Sequence, residues 1–339
     1  MIALRVLAVH SHDGASHLTG HGVVVVGSYA TGLTMRVDRL PSPGETLLGK
    51  GYRVDFGGKG SNQAVACARL GAQVSFVAKI GRDNFGETAL GLYRREKISI
   101  DLVIQAPDEP TGVGFIIVDS NGNNCITIDP GANDLLTATE VSQCLSALTP
   151  ETVVLTQLEI PVEAAGAAMA LGREKRSVTI LNPAPVRALP QSVLEFVDIL
   201  TPNQSEAKVL TGRNPEVDIA PEAVARELIR SGVRQVVITL GEKGALLVTA
   251  DSSLYIPAIK VPVADTTGAG DSFNAGLAVA LSSGAKLEDA VRFAVVTGGL
   301  AVIREGVIPS LPTRNEVLQF YRQQGATPPD WLLQDAADK

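Results

Sequence analysis

Apolar residues in this chain follow two rhythms that alternate along most of its length. Gly22 to Ser28 (GVVVVGS) is an unbroken apolar run, the pattern of a strand buried on both faces. Lys59 to Leu70 repeats with helical spacing and is stopped by Gly71. Val74 to Lys79 predicts a strand and Asn84 to Glu96 a helix. From Thr137 onward the two patterns take turns: helix 137–147, strand 152–157, helix 161–172, strand 177–182, a short strand 197–200, helix 220–231 and strand 235–240. A hairpin over 245–249 and 253–257 comes next, then helices over 269–283, 286–304 and 313–324. Repeated βα units call for a mostly parallel sheet with helices on both faces, an α/β architecture.

Two stretches break the alternation. Residues 46–56 place Leu48, Tyr52, Val54 and Phe56 on one side, and 112–129 carries Asn121-Gly122, a strong hairpin signal. Together they predict a small separate sheet with apolar residues on both faces, one toward a cleft and the other toward a second subunit. Residues 1–21 read as a flexible leader and 22–325 as a single domain. Residues 326–339, with Pro328-Pro329, read as a fraying tail.

Composition narrows the chemistry. The chain has 339 residues, 45% hydrophobic and 19% charged, with a net charge of −7. It is too apolar to be disordered, and an acidic chain without a Lys/Arg cluster argues against a nucleic-acid partner. No apolar run reaches the ~18 residues of a membrane span, and Met1 to Val9 lacks the basic start of a signal peptide. Cys67, Cys125 and Cys144 are widely spaced, which points to buried small hydrophobes in a reducing, cytoplasmic setting. All four histidines (His10, His12, His17 and His21) fall in the leader. Ser-His-Asp triads, Cys-His pairs and His-ligated zinc are therefore excluded from the folded body. Catalysis there must come from Asp, Glu, Lys, Asn and backbone amides.

Four segments carry such groups. In Asp265-Thr266-Thr267-Gly268-Ala269-Gly270-Asp271-Ser272-Phe273 the glycines allow a sharp turn, and the first amides of the following helix converge on one spot. That arrangement binds anions, and Asp271 beside it is either a helix cap or a general base. Gly57-Gly58-Lys59-Gly60-Ser61-Asn62-Gln63 is a glycine turn opening a helix, either a plain tight turn or a hinge whose amides and Asn62 meet hydroxyl groups. Thr201-Pro202-Asn203-Gln204-Ser205-Glu206 is either a capping box or a pair that holds water around a phosphate-bound Mg²⁺. Thr239-Leu240-Gly241-Glu242-Lys243-Gly244 is either a hairpin turn or a ligand loop at the carboxyl end of a strand. Two familiar signatures fail. Gly27 and Gly32 have P-loop spacing but are followed by Leu33-Thr34, and no GxGxxG follows the first strand.

The order GGKGSNQA, NQSE, TLGEKG, DTTGAGDSF resembles the ribokinase family of PfkB-type carbohydrate kinases, from about Val23 to Tyr321. PSPGET, QLEIP, LNPAP and REGVIPSLP match the same pattern. The resemblance implies a three-layer α/β/α domain with a β-sheet lid that also forms a homodimer contact. It implies that Asp271 removes the proton of a sugar's primary hydroxyl while the amides of Gly268, Ala269, Gly270 and Asp271 hold the transferring phosphoryl group of ATP. Gly58, Lys59, Gly60, Ser61, Asn62 and Glu159 would bind sugar. Asn203 and Glu206 would organise Mg²⁺ and phosphates. Thr239, Leu240, Gly241, Glu242, Lys243 and Gly244 would lie along the nucleotide, with Gly270 at its phosphates and Val295 near the adenine. Asp265, Thr267, Ala301, Arg304, Gly306 and Ser310 match a loop for an activating K⁺.

One departure bears on the substrate. The family pattern G-S-x-N-x-D after the first strand supplies Asn and Asp to sugar hydroxyls, whereas here Ala30 and Gly32 stand at those positions. Ribose is thus an open question, and a nucleoside kinase, a sugar-phosphate kinase and a non-catalytic sugar- or nucleotide-binding regulator are the competing readings.

Overall fold

The computed structural model describes residues 22–333, so the leader expected over 1–21 lies outside the described residues. The chain runs β1 (Gly22–Val26), β2 (Ala30–Arg36), β3 (Lys50–Gly57), α1 (Lys59–Arg69), β4 (Val74–Gly81), α2 (Asn84–Arg95), β5 (Val103–Ala106), β6 (Val113–Val118) and β7 (Asn124–Asp129). It continues through α3 (Ala138–Cys144), β8 (Thr152–Thr156), α4 (Val162–Glu174), β9 (Val178–Leu181), α5 (Gln191–Leu194), β10 (Ile199–Leu200), α6 (Gln204–Leu210), α7 (Pro221–Arg230) and β11 (Gln235–Thr239). The last elements are β12 (Gly244–Val248), β13 (Ser253–Pro257), α8 (Ala269–Ser282), α9 (Leu287–Ala301), α10 (Arg314–Gln323) and α11 (Asp330–Leu333).

The main sheet has the order β13-β12-β11-β10-β9-β8-β1-β4-β5, parallel from β11 to β5 and closed at its other edge by the antiparallel hairpin β12–β13. Alternation along each strand feeds two cores. Val23 and Val25 point into one with α1, α2, α8 and α9. Val24 and Val26 point into the other with α3, α4 and α7. The apolar run of β1 is thus explained by helices on both faces.

The small sheet has the order β3-β2-β6-β7, with β2 parallel to β6 and both outer pairs antiparallel. Its second strand corrects the sequence reading. Ala30–Arg36 (ATGLTMR) mixes glycine, threonine and apolar residues without a clean alternation, so the signal of β2 was weak. The strand expected from 46, β3, begins at Lys50, and the turn at Asn121-Gly122 joins β6 to β7 as expected, with Gly122 at φ 84°.

The tail expected over 326–339 carries α11, and its residues 334–339 lie outside the described residues. Beyond Gly325 the chain does not fray at once: Trp331 stacks edge-on against Phe293 at 4.8 Å, Leu332 is buried, and its carbonyl accepts from Arg314. Of the cysteines Cys67 is buried, but Cys125 is exposed on β7, contrary to the expectation of buried hydrophobes. No helix among the described residues is long and apolar enough to cross a membrane.

Candidate active site

The parallel strands all end at one edge, and every candidate segment follows one of those ends or the start of an adjacent helix. At the start of α8, Gly268 takes a left-handed φ of 84°, and a β-carbon there would lie 2.9 Å from Val307 Cγ1. Ala269 N donates to Thr266 O at 3.3 Å and Ser272 N to Gly268 O at 2.9 Å, so the Ala269 amide expected in the anion site is already engaged within the turn, and the amides of Gly270 and Asp271 are left for an outside acceptor. A β-carbon on Gly270 would meet nothing within 4 Å, so this turn is open on the side that an anion would approach.

The Asp271 carboxylate is buried and held from both sides. Asn62 Nδ2 donates to Oδ2 at 2.9 Å, and Gln63 Nε2 to Oδ1 at 3.0 Å. Burial pushes its pKa above the usual aspartate value, against the attraction of Lys59 and the two amide hydrogen bonds, with Glu159 adding repulsion. Gln63 Oε1 in turn accepts from Gln157 Nε2 at 2.5 Å, and Gln63 Nε2 also reaches Asn182 Oδ1 at 3.2 Å. Asp271 is therefore a positioned carboxylate and not the side-chain cap of its own helix, for which no side-chain hydrogen bond exists.

The glycine turn before α1 is forced by a close approach. A β-carbon on Gly60 would lie 2.4 Å from Ser28 N, and one on Gly27 would lie 2.7 Å from Gly60 Cα, so the end of β1 and the start of α1 touch backbone to backbone. Glu159 fixes the same junction: its Oε2 accepts from Ser28 Oγ at 2.6 Å and Lys59 N at 2.7 Å.

On the other flank, Asn203 and Glu206 form a reciprocal capping box on α6, at 2.8 and 2.9 Å, beside the end of β11, where Asn203 bridges to Thr239. Burial pushes the Glu206 carboxyl up, opposed by the Asn203 amide and by the charge of Lys59, which also acts against the upward shift of Asp271. The turn Gly241–Lys243 follows β11 directly, with Gly241 and Gly244 both at positive φ. Val295 sits buried on α9 within the first core. Asp265 ties its loop to the segment after α9: Oδ1 accepts from Thr267 N and Oγ1, and Oδ2 from Gly306 N at 3.1 Å. Those hydrogen bonds outweigh burial and lower its pKa. Arg304 Nη2 donates to Ser310 O at 3.3 Å, and Gly268 packs on Val307 between Gly306 and Ser310, so the Asp265 loop and the 304–310 segment adjoin the start of α8.

Gln63, Gln157, Asn182, Thr201 and Asn274 have no role in the motif readings. They continue the buried polar chain behind Asp271: Asn182 Nδ2 donates to Thr201 O, Thr201 Oγ1 to Asn274 Oδ1, and Asn274 Nδ2 to Gly270 O. Their signal was present, since Gln63, Gln157 and Asn182 stand inside quoted motifs at positions that strand and helix patterns place indoors.

The family model described as pfkB family carbohydrate kinase matches residues 21–314. This chain belongs to the pfkB carbohydrate kinases. The family member ribokinase of Haemophilus influenzae is 36% identical over 302 residues, covering 88% of this chain and 97% of that protein. A deoxyribokinase of Salmonella typhimurium is 32% identical over 299 residues, covering 88% and 98%. Among solved pfkB kinase structures, Arabidopsis thaliana ribokinase complexed with ribose and ATP superposes with a TM-score of 0.82 at 32% identity, covering 89% of this chain and 98% of that one. As a pfkB kinase the chain is an ATP-dependent carbohydrate kinase with the ribokinase-like α/β fold.

Proposed function

We propose that the chain transfers the γ-phosphoryl group of ATP to a primary hydroxyl of a pentose-type sugar, with Asp271 as the base. The observation that carries this reading is the Asp271 carboxylate, buried and clamped by Asn62 and Gln63 directly beside the open amides of α8. Asp271 takes the hydroxyl proton as the sugar oxygen attacks, while the Gly270 and Asp271 amides stabilise the charge spreading over the phosphoryl oxygens. Gly58 to Asn62 and Glu159 orient the sugar. Asn203 and Glu206, which cap α6 beside the end of β11, would hold the water shell of a nucleotide-bound Mg²⁺, an ion that suits a single carboxylate plus phosphates. When bound, Mg²⁺ neutralises phosphate charge. The loop of Asp265, Thr267, Ala301, Arg304, Gly306 and Ser310 suits K⁺, which would brace the Gly268 turn without touching substrate. Equal rates in K⁺, Na⁺ and a bulky organic cation would remove the K⁺ role.

The relatives named ribokinase and deoxyribokinase favour a five-carbon sugar. A nucleoside is the second reading, favoured by the space that Ala30 and Gly32 leave on the lid. ADP release on a panel of pentoses, deoxypentoses, hexoses and nucleosides decides between them. Turnover of none of these would overturn the proposal.

A further inference from the structure

The inner half of one lid face is poor in groups that bind hydroxyls. Ser28 and Tyr29 lead into β2, along which side chains alternate from Ala30 onward. Tyr29 and Thr31 point one way, where the Tyr29 hydroxyl meets Thr31 Oγ1 at 3.1 Å in the buried core. Ser28 points the other way, with its hydroxyl on Glu159 at the sugar side of the site. Ala30 and Gly32 continue that second direction. The strand registers complete this face: Gly32 pairs with Asp55 on β3 and with Gly114 on β6, which pairs with Ile128 on β7, and one step further out Thr34, Arg53, Ile116 and Ile126 align. Its inner half is thus Ala30, Gly32, Gly114 and Ile128, with one polar side chain, Asp55.

We infer that Asp55 is the specificity-determining residue of the lid: its carboxylate, directly across the strand pair from Gly32, accepts hydrogen bonds from substrate hydroxyls. The inference rests on the sugar-kinase reading above and names the group that recognises the polyol. The geometry allows it. A β-carbon on Gly32 would lie 3.8 Å from Asp55 Cβ and 3.5 Å from Ile116 Cδ1, so the bare Gly32 leaves the Asp55 side chain free to lean over β2. The nearest charge to Asp55 is Arg53, at 3.3 Å, with both side chains about half exposed (51% and 47%). Such an exposed ion pair is weak and gives way when hydroxyl donors arrive. Ala30 and Gly32 then need no polar side chain, because the carboxylate has moved one strand over on the same face.

The test uses the full chain and whichever panel compound the wild type phosphorylates best. Asp55→Ala is expected to raise the KM for that acceptor by about tenfold or more and to leave the KM for ATP within about twofold. Arg53→Ala is expected to change the acceptor KM by less than about threefold, because Arg53 only accompanies Asp55. Adding Gly32→Asp to Asp55→Ala returns a carboxylate to the same face, in ordinary contact distance of its neighbours, and is expected to recover most of the loss. An acceptor KM within about twofold of wild type in Asp55→Ala, or an equal loss in Arg53→Ala, would overturn the inference. A wild type inactive on every compound would instead overturn the kinase reading and this inference with it.

Discussion

Burying the Asp271 carboxylate costs folding free energy and, on the mechanism proposed above, supplies the base. Its raised pKa means that the folded protein binds this proton more tightly than the unfolded chain does. Stability from this group is therefore fullest below the ordinary aspartate value of 3.8 and is lost as pH rises through the raised folded value. With Asp271 as the proposed base, activity is expected to run the opposite way, because only the ionised form can accept the hydroxyl proton. The acid limb of kcat against pH is expected above the ordinary aspartate range. Asp271→Asn is expected to lower kcat by about 10²–10⁴-fold and to abolish that limb, while nucleotide affinity and the folded state persist. The fold can tolerate the amide: Asn62 Oδ1 is buried without a partner, so the Asn62 side chain can turn over and accept from the new NH₂. Turnover of the Asn variant within about twofold of wild type would assign Asp271 a structural role only.

The α8 helix can hold that carboxylate in place because it packs on α9 through a glycine. A β-carbon on Gly276 would come within 2.2 Å of Thr297 Oγ1, and Thr297 cannot easily yield, since its hydroxyl donates to Ser272 O or Ala294 O while its carbonyl accepts from Ser272 Oγ. Gly276→Ala gains up to about 1 kcal/mol of helix propensity but overpacks the contact by about 1–3 kcal/mol, so a net loss is expected in urea unfolding. Gly91 is the contrast. It lies within α2, where a β-carbon meets only Arg95 Nη1 at 3.5 Å, and Gly91→Ala is expected to stabilise by about 0.5–1 kcal/mol. If both variants move stability the same way, close packing is not what Gly276 serves. Elements of this kind mark how far the sequence could be read. The continuous run of β1 and the periodic faces of α8 and α9 were legible because burial on two faces or one leaves a rhythm. β2 was not, because one side faces the site while the other changes from Thr31, which meets Tyr29 in the core, to Leu33 in the exposed row. The polar chain from Gln157 to Asn274 was not either, since its members are distant in sequence and meet only when β8, β9 and β10 end side by side. Leu332 and Trp331 looked like tail because nothing local shows the Phe293 ring they cover.

At the scale of the whole molecule, the lid presents its second face to solvent. Val54, Leu33 and Phe115 align across β3, β2 and β6, with Tyr52, Met35 and Ile117 beside them. Tyr52, Val54 and Phe115 are about half exposed, at 59%, 48% and 53%. A contiguous apolar row on a thin sheet gains stability when covered, and a second copy of the same lid is a self-complementary cover. The homodimer proposed from the family resemblance would use this face, opposite the one that carries Asp55. Phe115→Glu places a charge at the centre of the row while leaving the site-facing side chains untouched. In sedimentation velocity the wild type is expected to run as a dimer at micromolar concentration and the variant as a monomer. Because the lid then lacks its support, the acceptor KM should rise in the variant and the ATP KM should not. A wild type that stays monomeric across the concentration range would remove the lid dimer, and the exposed row would then need another cover.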